Sequence, residues 1–267
     1  MLELFKIEWL KIRTYRTFWL VFLGFLLLFP IIYYFIAYKV VGSFASTGTM
    51  QEEALKSLMR KPFVFPKVWQ ATAYGGGIFF IAIGMLFVIM ITNEVQYRTH
   101  RQNIIDGWSR MDFLKAKLSM LIFFVIISTL LVTIVGLITG ISFTPGSYDI
   151  TEGTRYIGYF AIMATQYMMF AFFIAILVKR TGLAVIIYIA AIVVDNIIWA
   201  LLFFNDTQLG FFLPLESADS LVGNPAREQV FDKRTVSDLA LIIACCSYIF
   251  GYGYVIVNYF KRTDLKT

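Results

Sequence analysis

The sequence predicts an all-α polytopic membrane protein with six transmembrane helices, both termini cytoplasmic and an N-terminal amphipathic helix at the interface. Three observations carry this. Of 267 residues, 59% are hydrophobic and only 15% charged, against about 45–50% apolar and about 25% charged in a soluble domain. A water-soluble fold would lack the polar surface to cover such a core. Six stretches are each long and apolar enough to cross about 30 Å of hydrocarbon. These runs are continuous rather than alternating over about ten residues, which selects helices over a barrel. A single His and two neighbouring Cys, Cys245 and Cys246, argue against a multi-histidine metal site and a disulfide framework.

The elements follow in order. Residues 1–17 place Leu2, Phe5, Trp9 and Ile12 on one stripe at helical spacing, with Lys6, Lys11 and Arg13 beside or opposite it. That is the pattern of a helix lying among headgroups; a plain extension of the first span is the alternative. The spans themselves read as Phe18–Val41, Trp69–Thr92, Leu118–Gly140, Tyr156–Val178, Leu183–Phe204 and Val236–Phe260. A cleavable signal would hold only about 7–15 apolar residues. The first run continues past Pro30 to about Ala37, so it is expected to be retained.

Orientation follows from the loops. Segments 1–17, 93–117, 179–182 and 261–267 carry 14 of the 23 basic residues and six of the 17 acidic ones. They are therefore assigned to the cytoplasm, and the net charge of +6 reflects this asymmetry rather than a nucleic-acid partner. The expected layout is one domain over 1–267. It has spans 1–2 within 18–92, a cytoplasmic segment at 93–117, spans 3–5 within 118–204, an extracellular segment at 205–235, span 6 at 236–260 and a tail at 261–267.

The segment 93–117, NEVQYRTHRQNIIDGWSRMDFLKAK, is densely charged in a chain that elsewhere avoids charge. Glu94–Ile105 has few helix breakers, Asp106-Gly107 signals a turn, and Ser109-Arg110-Met111-Asp112 resembles a capping box opening the next helix. Such a helix-turn-helix can dock into another protein.

Glu94, Arg98-Thr99, Arg101, Gly107, Ser109-Arg110 and Lys117 resemble, in order and spacing, the pattern that links the second and third spans of ABC-2 type transporter permeases. There the pattern reads Glu, Gly-Thr, a hydrophobic stretch, Pro/Gly-x-Ser-Arg and Ala-Lys. Arg98 stands here where that pattern has Gly, and Gly107-Trp108-Ser109-Arg110 where Pro-x-Ser-Arg is common. The resemblance implies a permease subunit of an ATP-driven transporter that exports a hydrophobic or amphipathic substrate. It makes Glu94, Arg98, Thr99, Arg101, Gly107, Ser109 and Arg110 the coupling surface for a separate P-loop ATPase, and it implies a second permease subunit, identical or homologous. The chain carries no G-x-x-x-x-G-K-[ST] phosphate loop, so no cofactor is expected on it. ATP and Mg belong to the partner. Location in a bacterial inner membrane, in contact with lipid, is the corresponding expectation.

Asp195, with Asn196 beside it, falls in the middle of the fifth span. A carboxyl at that depth costs about 3 kcal/mol unless protonated, paired or wetted. It either faces a substrate pathway or bonds a neighbouring helix, with Gln166, Tyr167 and Tyr188 as candidate partners. Gly75, Gly76 and Gly77 permit close helix approach, which the resemblance places near a subunit interface. Met168-Met169 and the Cys pair read as packing. Segment 205–235 holds Phe211-Phe212-Leu213-Pro214-Leu215, which favours a re-entrant or interfacial hairpin over an exposed loop, and Glu52–Met59 reads as a short helix. Two other classes compete with a permease. A membrane scaffold that recruits an ATPase without transport is one. An intramembrane enzyme is the other; it is disfavoured because His100 lies in a loop and no H-E-x-x-H or Gly-x-Gly-Asp motif occurs.

Overall fold

The computed structural model describes residues 2–42, 60–96, 109–205, 207–225 and 236–262. Among these residues there is no strand. The helices are α1 (Leu2–Ile12), α2 (Arg16–Gly42), α3 (Val68–Gln96), α4 (Arg110–Phe143), α5 (Arg155–Leu177), α6 (Thr181–Phe204), α7 (Glu216–Val222) and α8 (Asp238–Arg262). Short 3-10 turns occupy Lys61–Phe63 and Gln208–Phe212. Six of the helices, α2 to α6 and α8, are long and apolar enough to cross a membrane.

Between apolar helices in lipid there is little hydrophobic gain, so close packing and polar contacts decide how they associate. α3 is the hub, touching α2, α4, α5, α6 and α7, and its small residues explain why. A Cβ on Gly75 would stand 3.2 Å from the Tyr33 ring of α2, one on Gly76 would meet Val132 of α4 at 2.5 Å, and one on Gly77 would meet Met163 of α5 at 2.7 Å. Three successive glycines thus admit three different helices. These close approaches are made to helices of the same chain. Around them, rings interlock, with Phe80 5.9 Å from Phe160 and Phe29 5.6 Å from Phe79. Met168 and Met169 are buried core. Cys245 is buried and Cys246 half-buried, both as free thiols.

The helices α1 and α2 are separate, which decides between the two readings of the N-terminal segment. Residues 13–15 turn the chain, fixed by Thr14 Oγ1 donating to the Lys11 carbonyl at 2.7 Å and Trp19 Nε1 donating to the Arg13 carbonyl at 2.9 Å. Phe5, Trp9 and Ile12 of the expected stripe face inward: Trp9 and Phe5 stand 5.4 Å and 5.5 Å from Phe123 of α4, and Ile12 is buried. Lys6 and Arg13 remain exposed.

The helix α4 starts eight residues before the expected span. Ser109 Oγ accepts the Asp112 N–H at 3.1 Å while Asp112 Oδ2 accepts the Ser109 N–H at 3.1 Å, a reciprocal capping box. With its first amides satisfied, the helix runs without a break into the apolar stretch. α3 likewise continues to Gln96, so both limbs of segment 93–117 extend spans as rigid helix. Residues 97–108, which hold Arg98, Thr99, Arg101 and Gly107, lie outside the described residues, as does Glu52–Met59.

Candidate functional site

At the end of the bundle that holds α1, the end of α3 and the start of α4, a lysine is entirely buried. Lys117 is flanked by the carboxylates of Glu8 on α1 and Glu94 on α3, ion-paired with both, the latter at 2.5 Å. Its ammonium also lies 5.0 Å from the centre of the Phe113 ring. Glu8 is buried as well and takes a second partner, Lys11, at 3.1 Å. Burial opposes charge on Glu8, yet attraction to Lys117 and Lys11 outweighs it and holds the carboxyl below its ordinary value. The charges persist here because they are paired and hydrogen-bonded, the condition under which buried ions are tolerated. Glu94 therefore has a partner on the following helix, and through it is joined to the N-terminal helix.

Two more side chains tie the end of α3 sideways. The Thr181 hydroxyl, at the start of α6, bonds Asn93 Oδ1 at 2.9 Å and Gln96 Oε1 at 3.0 Å. The residue before this helix supplies no side-chain cap, so α3 stands in for one. The last turn of α3 thus grips α1 and α4 through Glu94 and α6 through Asn93 and Gln96. Ser109 caps α4, and Arg110 opens it.

At the opposite end, residues 207–225 fold back into the bundle. α7 is seven residues long and almost wholly enclosed, in contact with α3, α5, α6 and α8. Each of those helices sends a polar side chain to the segment. Asp195 of α6 accepts the N–H groups of Glu216, at 2.7 Å, and Leu215, at 3.4 Å. From α5, the Gln166 amide donates to the Pro214 carbonyl and, at 3.1 Å, to Ser217 Oγ, while the Tyr167 hydroxyl donates to Asp219 Oδ2 at 2.8 Å. Gln70 of α3 donates to the Val222 carbonyl at 3.3 Å, and Tyr248 of α8 to the Phe212 carbonyl at 2.7 Å.

Asp195 thus anchors the hairpin and bonds none of the three side chains expected for it. Main-chain amides at the start of a helix are better partners for a carboxylate than a phenol or a distant amide. Gln166 does join the same cluster, through the hairpin. Asn196 turns away and donates to the Ile192 carbonyl of its own helix at 3.0 Å. Sequence reasoning missed Glu8 and the tie from Tyr167 to Asp219, and it placed Lys117 in the resemblance without its two carboxylate partners. Glu8 sits in a helix pattern that names no partner for a charge, and in 205–235 it is the apolar run 211–215, not the acids, that signals a hairpin.

A six-helix transmembrane bundle, with a packed amphipathic helix at its N-terminus and a charged, helix-borne connection between the second and third spans, defines a multi-pass membrane protein built like a transport permease. The family model for ABC-2 family transporter proteins matches residues 4–195, and the chain belongs to that family. The match begins within α1 and ends at Asp195, spanning the lysine-centred triad but not the hairpin. No curated protein matches the chain.

Proposed function

We propose that this chain is the permease subunit of an export system for a hydrophobic or amphipathic substrate, powered by a separate P-loop ATPase that docks on segment 93–117. ATP and Mg are bound by that partner, and a second permease subunit, identical or homologous, completes the pathway in a bacterial inner membrane. The carrying observation is the buried Lys117 between Glu8 and Glu94. It joins both limbs of the docking segment to the helix on the membrane surface, so a push on the segment moves three helices together rather than bending a loop. Glu94, Ser109 and Arg110 belong to the docking end by position, and Arg98, Thr99, Arg101 and Gly107 by resemblance. The exposed Lys6 and Arg13 suit a surface of anionic lipid, which favours this end being cytoplasmic.

The test is affinity purification of the tagged chain from its native membrane in mild detergent, with stoichiometric partners identified by mass spectrometry. A P-loop ATPase is expected, and the Arg110→Glu variant should lose it while still inserting. Reproducible absence of such a partner from an intact, monodisperse preparation would overturn the reading.

A further inference from the structure

α2 and α4 meet along one seam whose two halves differ. Toward α1 the seam is filled by rings: Phe18 and Phe22 of α2 stand 6.3 Å and 5.9 Å from Phe124 of α4, and Phe22 stands 6.2 Å from Phe123. Toward the other end α4 presents Val135, Ile138 and Thr139, whose shorter side chains do not fill the gap. A groove of about 550 Å³ is left there, walled on the α2 side by Pro30, Tyr34 and Phe35. That volume falls among the pockets of about 300–1,000 Å³ that hold small ligands. Tyr34, Phe35 and Ile138 are exposed and belong to two of the membrane-crossing helices, so the groove opens sideways into hydrocarbon rather than to water.

Its rim and floor distinguish it from a bare apolar face. Lys39, exposed one turn beyond Phe35, holds its ammonium 5.5 Å from the centre of that ring. Tyr34 meets Phe143 with rings 5.4 Å apart, and the Phe143 carbonyl accepts from the Arg60 guanidinium at 3.1 Å. Two cations thus stand where α2 and α4 leave the membrane. On the floor the Thr139 hydroxyl is buried without a hydrogen-bond partner among the described residues, whereas Thr129, Thr133 and Ser142 of the same helix return theirs to carbonyls four residues back. From the membrane's middle outward the order is an apolar trough, one unused donor and two cations. An acyl chain, its ester and an anionic headgroup follow in the same order, and cations at the membrane surface attract such headgroups. This complementarity at the rim favours a lipid over a helix of a second copy.

We propose that the groove between α2 and α4 seats one acyl chain of an anionic phospholipid of the surrounding bilayer, with its phosphate drawn to Lys39 and Arg60. The lipid is a resident ligand and not the exported cargo. The proposal goes beyond the permease reading and does not depend on it, needing only that α2 and α4 cross the membrane.

The experiment places the full chain in nanodiscs that contain, at equal mole fraction, phosphatidylglycerol or phosphatidylcholine with a diazirine halfway along one acyl chain. After illumination the adducts are mapped by mass spectrometry. They should concentrate on residues 30–38 and 135–139 and be about fivefold more frequent there with phosphatidylglycerol. Lys39→Gln combined with Arg60→Gln should remove that preference and leave adducts elsewhere unchanged. Ile138→Trp, which fills the groove, should deplete the adducts, while Ile126→Trp, equally exposed on the same helix but outside the groove, should not. Equal labelling by the two lipids in the parent, or adducts spread evenly over the exposed side chains of all six spans, would mark ordinary lipid contact and overturn the proposal. So would complete disulfide formation between two copies of Phe35→Cys in the native membrane, in a chain with Cys245→Ala and Cys246→Ala, because the groove would then belong to a second subunit. A failed search for an ATPase partner bears on none of these outcomes.

Discussion

Lys117 is where a single side chain has the most to lose. Removing one partner from a buried, bonded ion pair strands the others, at a cost of about 3–5 kcal/mol. Lys117→Met should therefore lower the thermal midpoint in detergent markedly, while adding Glu8→Gln and Glu94→Gln to it should restore most of the loss, since the buried carboxylates are then neutral and only the partly exposed Lys11 loses a partner. Equal midpoints for the single and triple variants would refute this. The sign with pH follows from Glu8, whose carboxyl is held below 4.5. Its contribution is complete above that value and disappears as pH falls through the depressed one, so the stability gap between the parent and Glu8→Gln should be widest near neutral pH and close in acid. Gly84 is the second such position. A Cβ there would collide with the hydroxyl of the fully buried Tyr188. Gly84→Ala should destabilise the fold, and Tyr188→Phe in the same chain should recover part of the loss, a coupling measured by a double-mutant cycle.

At the scale of elements, each helix end has its own device. The capping box on α4 is exposed, and Ser109→Ala should cost about 1 kcal/mol, seen as faster amide exchange over residues 109–113 and not deeper in the helix. The hairpin is held differently, by side chains reaching in from its neighbours. Gln166→Leu would leave the Pro214 carbonyl without its donor, so exchange over 208–222 should quicken while α3 and α4 stay protected.

The sequence made these elements legible to different degrees. All six spans, the N-terminal stripe and the Ser109 cap could be read because each depends on residues adjacent in sequence or at helical spacing. The Glu8–Lys117–Glu94 cluster could not be read, since its members are separated by 109 and 23 positions and the motif that names Glu94 and Lys117 does not pair them. Asp195 was noticed because a charge in an apolar run is conspicuous, but its partners are main-chain amides, which no side-chain pattern announces.

For the molecule as a whole, α5 is the most enclosed of the spans and α6 and α8 the least. The polar work is divided between the two ends: an ion cluster that locks helices together at one, and a hydrogen-bonded insert at the other. Six crossings leave both ends of the chain on one side. Leu209→Cys should then react with impermeant reagent from outside, and Arg13→Cys only after the membrane is opened. Reaction of both from the same side would contradict six crossings.

The hairpin also dictates an order of assembly. It is synthesised after α6 but rests partly on α8, which leaves the ribosome later. Until α8 arrives, one wall of the pocket is absent and Tyr248 cannot close on the Phe212 carbonyl. Asp195 and Gln166 find their partners within the hairpin itself, so what α8 adds is the last wall of its seat. A chain stalled before residue 238 would accordingly hold five spans and a hairpin open on the side that the last helix closes.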